Sequence, residues 1–150
     1  MTPSTGLDPF ARVARLGHHL AVLSTLRADN TIQSSVVSVG VLDHPSTGRP
    51  AVGLVARGGT RKLANLRARP RTTVVVQAGF AWVAAEGDAE LAGPDDDLSG
   101  FDGNRLRLLL REVFVAAGGT HDDWSSYDRV MAEEHRTTVL ITPRRVYSNR

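Results

Sequence analysis

The sequence predicts a mainly β protein, in which a small antiparallel barrel carries a few α-helices. Six apolar or alternating segments of strand length follow one another, with turn residues between them. Short neighbouring strands joined by turns favour an antiparallel sheet over a doubly wound parallel one. The chain has 150 residues, which is enough for a core and fits a single domain over residues 1–150. Six strands in a chain of this size are typical of a small barrel.

The first part of the chain is predicted to form a helix followed by three strands. Asp8 is expected to cap the helix, Pro9 suits its first position, and Gly17 closes it. The three strands are predicted over residues 20–27, 32–42 and 50–56. A loop rich in proline, glycine, aspartate and serine separates the second strand from the third.

The second part is predicted to contain three more strands and two longer helices. The strands are expected over residues 72–77, 80–91 and 136–142, with Pro143 stopping the last. The helices are expected over residues 104–117 and 122–134. In the first of these, apolar residues recur at helical spacing and form one stripe. Leu108 and Val115 lie off that stripe. They are either simple surface residues or residues that contact another subunit.

Composition excludes several classes of function. With no cysteine, the chain cannot form disulfides, thiolate zinc sites or a cysteine nucleophile. The histidines lack metal-ligand spacing, so no metal site is expected. A net charge of +2 and 5% aromatic residues argue against nucleic-acid binding through the basic stretch from Arg61 to Arg71. No signal peptide or membrane span is predicted, and we expect a cytoplasmic protein with no membrane partner.

No catalytic motif is found in the sequence. There is no Gly-x-Ser-x-Gly nucleophile elbow, and the region 53–62 lacks the Gly-Lys-Ser/Thr order of a P-loop. We therefore predict no catalytic side chain, and any reaction is expected to depend on a bound cofactor.

The stretch 58–71, GGTRKLANLRARPR, is predicted to be a phosphate-binding helix start. Thr60 follows two glycines and can cap the first turn, and Arg61 and Lys62 come next, at the end of the helix that attracts anions. Lys62 is the only lysine among 18 basic residues, which points to a specific point-charge contact. The alternative is a solvated helix face that carries a lysine by chance.

Several segments in this order resemble one family over nearly the whole chain. They are LAVLSTLRADN at 20–30, the helix stretch above, AWVAAEGDAEL at 81–91, HDDWSSY at 121–127 and LITPRRVY at 140–147. The sequence resembles the flavin-binding split-barrel proteins of the pyridoxamine-5'-phosphate-oxidase-like family. More narrowly, it is similar to the actinobacterial branch that uses the deazaflavin coenzyme F420.

The resemblance implies a six-stranded antiparallel Greek-key split barrel and a homodimer with two cofactor sites at the subunit interface. It implies that Lys62 contacts the cofactor phosphate, with Thr60, Arg61 and Asn65 around it. The ring system would lie along Gln33, Ser34, Ser35, Val36 and Val37. The neighbouring strand would border it with Leu54, Val55 and Ala56, followed by Arg57, which is not a fixed family feature. Phe80 and Trp82 would flank the pocket.

The function implied is an F420-dependent oxidoreductase that transfers a hydride between reduced F420 and an unsaturated small molecule. A valine-rich strand can supply a flat slot for the ring, and Lys62 an anchor for the phosphate. Two alternatives remain open at this point. One is an FMN-dependent flavoprotein of the same fold, and the other is a non-catalytic protein that stores or shields the cofactor.

Overall fold

The structure is a computed structural model that describes residues 6–98 and 100–149. Over these ranges the chain forms four helices and seven strands. The helices are α1 (Asp8–Leu16), α2 (Arg61–Ala68), α3 (Gly103–Ala116) and α4 (Trp124–Glu133). The strands are β1 (Leu20–Leu26), β2 (Ile32–Ser38), β3 (Gly40–Asp43), β4 (Pro50–Ala56), β5 (Arg71–Ala78), β6 (Ala81–Ala92) and β7 (Thr137–Ser148). None of these helices is both long and apolar enough to cross a membrane.

The strands form one antiparallel sheet in the order β2-β1-β5-β6-β7-β4-β3. β2 and β3 are its two edges, yet only Val39 separates them along the chain. The edges must therefore come together, and the sheet curves into a barrel. Val39 is buried, and its N–H donates to the carbonyl of His19 at 2.8 Å. The single strand predicted over 32–42 is wrong here, because the bend at Val39 divides it and gives seven strands where six were predicted.

The last strand corrects a second prediction, because β7 continues through Pro143 to Ser148. Pro143 pairs with Gly87 of β6, beside a register shift between Glu86 and Gly87. A β-bulge tolerates the missing N–H of proline, whereas a regular central position does not. Gly87 is needed there because a Cβ would collide with the carbonyl of Thr142. The other predicted element ends lie within two residues of the observed ones.

Helices cover the barrel on two sides. On α1, Phe10, Val13 and Ala14 are buried in the main core. Its N-cap is Leu7, which is buried, and not Asp8 as predicted. Asp8 is the first residue of the helix and lies in the first turn, where the helix dipole favours a carboxylate. α3 packs against β3, β4 and β7, with Leu109 and Val113 in a second core cluster. Leu108 and Val115 of α3 are exposed.

Candidate cofactor site

A cavity of about 510 Å³ lies where the ends of β2 and β4 meet the start of α2, the end of α3 and one side of α4. We call it the α2 cavity. Its lining residues are Val36, Val37, Ser38, Val55, Ala56, Arg57, Thr60, Lys62, Val113, Phe114, Ala117, Gly119, Tyr127, Met131 and Arg136. Seven of the fifteen residues predicted to bind a cofactor are among them, so two strand ends and the helix start do come together.

The α2 cavity is cationic. Arg57, Lys62 and Arg136 line it, and no acidic side chain does so among the residues that the structure describes. Arg136 is already paired, since its Nε donates to Glu134 Oε1 at 2.9 Å. The side chains of Lys62 and Arg57 make no hydrogen bond or ion pair with any other described residue. Two uncompensated cations facing one cavity favour an anionic ligand.

The start of α2 leaves a hydroxyl group free beside these cations. Thr60 is the N-cap of α2, as predicted, but its side chain makes no capping hydrogen bond. Its Oγ1 is buried and has no partner within the described part of the chain. A buried hydroxyl without a partner is costly unless something else satisfies it. The turn before it is fixed by Gly58, whose N–H donates to Glu134 O at 3.1 Å. Because Thr60 lines the α2 cavity, a ligand there is a candidate partner for this hydroxyl.

The remaining walls of the α2 cavity are mostly apolar. Val36 and Val37 come from β2, Val55 and Ala56 from β4, and Phe114 from α3. Phe114 contacts Tyr127 of α4 with ring centroids 4.9 Å apart.

Tyr127 gives the cavity an uncharged wall. Burial raises the pKa of Tyr127 to about 12, and its hydroxyl donates to Leu110 O at 3.1 Å. Because the phenol is neutral and already bonded, this wall acts as an apolar surface suited to a flat ring.

Gln33 and Asn65 lie outside the α2 cavity, in a buried polar cluster with Thr25. Asn65 Nδ2 donates to Thr25 Oγ1 at 3.1 Å and to Gln33 Oε1 at 3.3 Å. Asn65 is itself buried, and its partners satisfy its amide. The cluster ties α2 to β1 and β2, so these two residues support the helix that carries Lys62. Their predicted contact with a cofactor stays a prediction.

The other predicted residues point elsewhere in the monomer. Ser34 bonds Ser24 at 2.9 Å on the exposed face of β1 and β2, Ser35 pairs with Leu23, and Leu54 is fully buried in the core. Phe80 is 95% exposed in the turn before β6. Trp82 packs edge-on against Tyr147, with centroids 6.1 Å apart. Arg61 lines a separate recess next to α2.

The sequence reasoning missed the wall that the C-terminal helices provide. The missed lining residues are Ser38, Val113, Phe114, Ala117, Gly119, Tyr127, Met131 and Arg136. Most of them were recognised as apolar helix faces. An apolar stripe at helical spacing is the same whether the helix covers a core or a cavity, so the pattern could not separate the two.

No protein-family model and no curated protein matches this sequence. The conserved hypothetical protein Rv2991 from Mycobacterium tuberculosis is similar in structure over 92% of this chain and 82% of its own, with 22% identity and a TM-score of 0.66. A pyridoxamine 5'-phosphate oxidase-related, FMN binding protein from Nostoc punctiforme is similar in structure over 99% of this chain and 86% of its own, with 11% identity and a TM-score of 0.67. An F420 reductase is similar in structure over 89% of this chain and 94% of its own, with 14% identity and a TM-score of 0.60.

This chain has the pyridoxamine-5'-phosphate-oxidase-like split-barrel fold. The predicted fold class is thereby confirmed, with seven strands in place of six. In this split barrel the α2 cavity lies at the split, where the edge strand β2 approaches the end of β4. No group of three or more potential metal ligands occurs among residues 6–98 and 100–149.

Proposed function

We propose that this split barrel is an F420-dependent oxidoreductase, which transfers a hydride between reduced F420 and an unsaturated small molecule. The observation that carries the proposal is the ammonium group of Lys62, which lines the α2 cavity and has no counter-ion among the described residues. When bound, the cofactor supplies the hydride chemistry through its ring, while the protein binds and orients it.

The α2 cavity fits a ring and a phosphate together. Lys62, Arg57 and the free hydroxyl of Thr60 form its polar end, and valines with Phe114 and Tyr127 form its apolar walls. Its volume of about 510 Å³ lies within the ordinary range of small-molecule sites. We infer that Lys62 and Thr60 hold the phosphate, and that the β2 and β4 residues and the aromatic wall enclose the ring.

A second cationic recess supports the choice of a deazaflavin over FMN. It has a volume of about 310 Å³, and its lining includes three arginines, Arg27, Arg61 and Arg69, against one carboxylate, Asp29. Arg61 and Lys62 are consecutive at the start of α2, so their side chains diverge by about 100° and serve neighbouring sites. F420 has carboxylates beyond its phosphate, whereas FMN ends at the phosphate. The recess offers a place for those extra charges, and FMN remains the alternative ligand of the same cavity.

We also propose that the protein functions as a homodimer. The outward face of β1 and β2 exposes Leu20, Val22, Ile32 and Val36, and Val22 and Val36 are direct neighbours in the ladder. The Ser24–Ser34 pair lies between these valines and Ile32, so the face is mixed, and its exposed apolar residues favour association. Phe80 is too exposed to serve its own α2 cavity, and in a dimer it becomes available to the partner. Sedimentation equilibrium should give twice the chain mass of 16.2 kDa.

The cofactor proposal is tested by titrating the purified apoprotein with F420 and with FMN, followed by cofactor fluorescence. Lys62→Ala should weaken F420 binding by about 1.5–3 kcal/mol, roughly 10- to 150-fold, because a charge-assisted phosphate contact is lost. Arg15→Ala is the matched control, since Arg15 lies on α1, outside the cavity. Tight FMN binding without F420 binding would overturn the cofactor choice, and equal F420 affinity in both variants would overturn the role of Lys62.

The same preparation separates an enzyme from a storage protein. We expect reduced F420 to be oxidised in the presence of at least some members of a panel of enones and quinones. Tight F420 binding with complete inactivity across the panel would favour storage.

A further inference from the structure

A second cavity lies between α3 and α4, and it shares a wall with the α2 cavity. It has a volume of about 320 Å³, and we call it the α3–α4 cavity. Its lining residues are Gly93, Pro94, Gly103, Leu106, Arg107, Leu110, Asp128, Met131, Ala132, His135 and Arg136. Met131 and Arg136 line both cavities, so two side chains stand between the proposed cofactor site and this second space.

The α3–α4 cavity is an open pocket with apolar walls. Pro94, Gly103 and Ala132 on its rim are exposed, so it is not a closed packing void. Leu106 and Leu110 of α3 face Met131 and Ala132 of α4 across it. A pocket of about 320 Å³ with walls of this kind is large enough for a small organic molecule.

The charges at the α3–α4 cavity favour a ligand with one anionic group. Arg107 and Asp128 neutralise each other through a contact of 3.1 Å. Arg136 pairs with Glu134 through its Nε at 2.9 Å, but its two Nη groups make no hydrogen bond with any described residue and remain available to an oxygen of a ligand. With His135 as the remaining titratable group, no other acidic side chain faces the space among the described residues. A carboxylate or conjugated carbonyl beside Arg136 would match this arrangement.

We propose that the α3–α4 cavity binds the apolar body of the second reactant, an unsaturated carboxylate or carbonyl compound whose polar end lies at Arg136. This proposal rests on the proposed function and names the substrate class. Met131 lies between the two cavities, so its side chain must move aside for the ring and the conjugated bond to come into contact during hydride transfer. Its unbranched side chain can change rotamer and adapt the boundary to the ligand.

Met131 also provides the measurement. The chain has only two methionines, Met1 and Met131, and Met131 is the one within the described residues, so in protein labelled with [methyl-¹³C]methionine the signal of the shared wall is identified by its loss in Met131→Leu. Cinnamate serves as the probe because it combines an apolar ring, a conjugated double bond and a carboxylate. Titration should shift the Met131 signal saturably, and cinnamyl alcohol should bind at least about fivefold more weakly because it lacks the charge.

Two Trp variants locate the binding site. Ala132→Trp fills the α3–α4 cavity from its exposed rim and should weaken cinnamate binding by at least tenfold, whereas F420 affinity should stay within about twofold. Glu133→Trp, on the next residue of α4 and outside both cavities, should change neither.

The outcomes separate this proposal from the proposed function. Undiminished cinnamate binding in Ala132→Trp would overturn the pocket. Parallel loss of cinnamate and F420 would also overturn it, because the two ligands would then share one site. Specific cinnamate binding in a protein that binds no F420 would support the pocket and contradict the proposed cofactor.

Discussion

Replacing Asp128 with asparagine should loosen α4 over the α2 cavity. The carboxylate accepts hydrogen bonds from Arg107 Nη1 at 3.1 Å and from Arg111 Nε at 2.9 Å, with a further bond from Arg111 Nη2. These bonds join α4 to two successive turns of α3. Because Tyr127 and Met131 of α4 line the α2 cavity, the position of α4 determines the shape of that cavity.

The expected loss of stability lies between the values for exposed and buried ion pairs. The Asp128 side chain is 16% exposed, whereas those of Arg111 and Arg107 are 25% and 42% exposed. Hydrogen bonds to charged groups contribute about 1.5–3 kcal/mol when buried, and exposed ion pairs about 0–1 kcal/mol. We therefore expect Asp128→Asn to lower the free energy of unfolding by about 1–2 kcal/mol, which corresponds to a drop in Tm of about 2–8 °C.

The stability that the Asp128 carboxylate contributes depends on pH in a direction set by its pKa. The hydrogen bond from Arg111, together with that from Arg107, holds the pKa of Asp128 below its usual value. A carboxyl whose pKa is lower in the folded protein stabilises the fold at every pH above its pKa in the unfolded chain, which is about 3.9. This stabilisation is lost as the pH falls through the pKa of the carboxyl in the folded protein. The difference in Tm between the wild type and Asp128→Asn should therefore be full at pH 7 and shrink below about pH 4.

Hydrogen exchange of the α4 amides, measured with thermal unfolding, tests this reasoning. Exchange should accelerate in α4 and leave β5 and β6 unchanged. Glu133→Gln is the control, because its i,i+4 pair with Arg129 is 4.0 Å long and exposed on both sides, and its effect should lie within about 0.5 kcal/mol. If the α4 amides of Asp128→Asn exchange at the wild-type rate and the Tm is unchanged, the role of the carboxylate is refuted.

Three further predictions concern residues around the site. In Gly58→Ala the new Cβ would lie 2.6 Å from His135 Cβ, so urea unfolding should show a free energy of unfolding lower by about 1–3 kcal/mol. Gly103→Ala is the control, because no atom lies within 4 Å of its new Cβ, and its free energy of unfolding should not fall. Asn65→Leu should cost a similar amount in urea unfolding, about 1–3 kcal/mol, since it leaves the buried Thr25 hydroxyl and the Gln33 amide without the bonds that Asn65 makes to them. Titration of Tyr127 by its absorbance at alkaline pH should give a pKa of about 12, and the stability linked to its raised pKa should be lost as the pH rises from about 10 through that value.

Local sequence signals were sufficient to predict most of the fold. The boundaries of β4 and the ends of α2 follow from residues within a few positions, such as Pro70 after the helix. The break at Val39 could not be predicted in this way, because the bend depends on burial and on a hydrogen bond to His19, twenty residues earlier. Continuation of β7 through Pro143 likewise depends on a bulge opposite Gly87 of another strand.

The residues of the candidate site were likewise predictable only where neighbouring residues in the sequence determine their position. Lys62 and Thr60 were predicted from their immediate neighbours, and they lie together at the α2 cavity. The family resemblance also assigned Asn65 and Gln33 to the cofactor; in the structure these two side chains bond each other across 32 residues of sequence, and their contact with a cofactor stays a prediction. A polar residue in a motif can serve either the ligand or the helix that holds the ligand. Only the three-dimensional pairing separates the two roles.

The location of the α2 cavity follows from the way the barrel closes. Within the described residues, β2 forms a ladder with β1 alone, and no ladder joins it to β4, although Val36 and Val55 line the same space. The chain closes the barrel through Val39, without hydrogen bonds between these two strands. An unpaired edge is a liability that proteins cover with other groups. Here α2, α3 and α4 cover it only in part, and the gap they leave is a slot with strand edges on two sides and Lys62 at one end. The same feature that splits the barrel therefore provides the binding site.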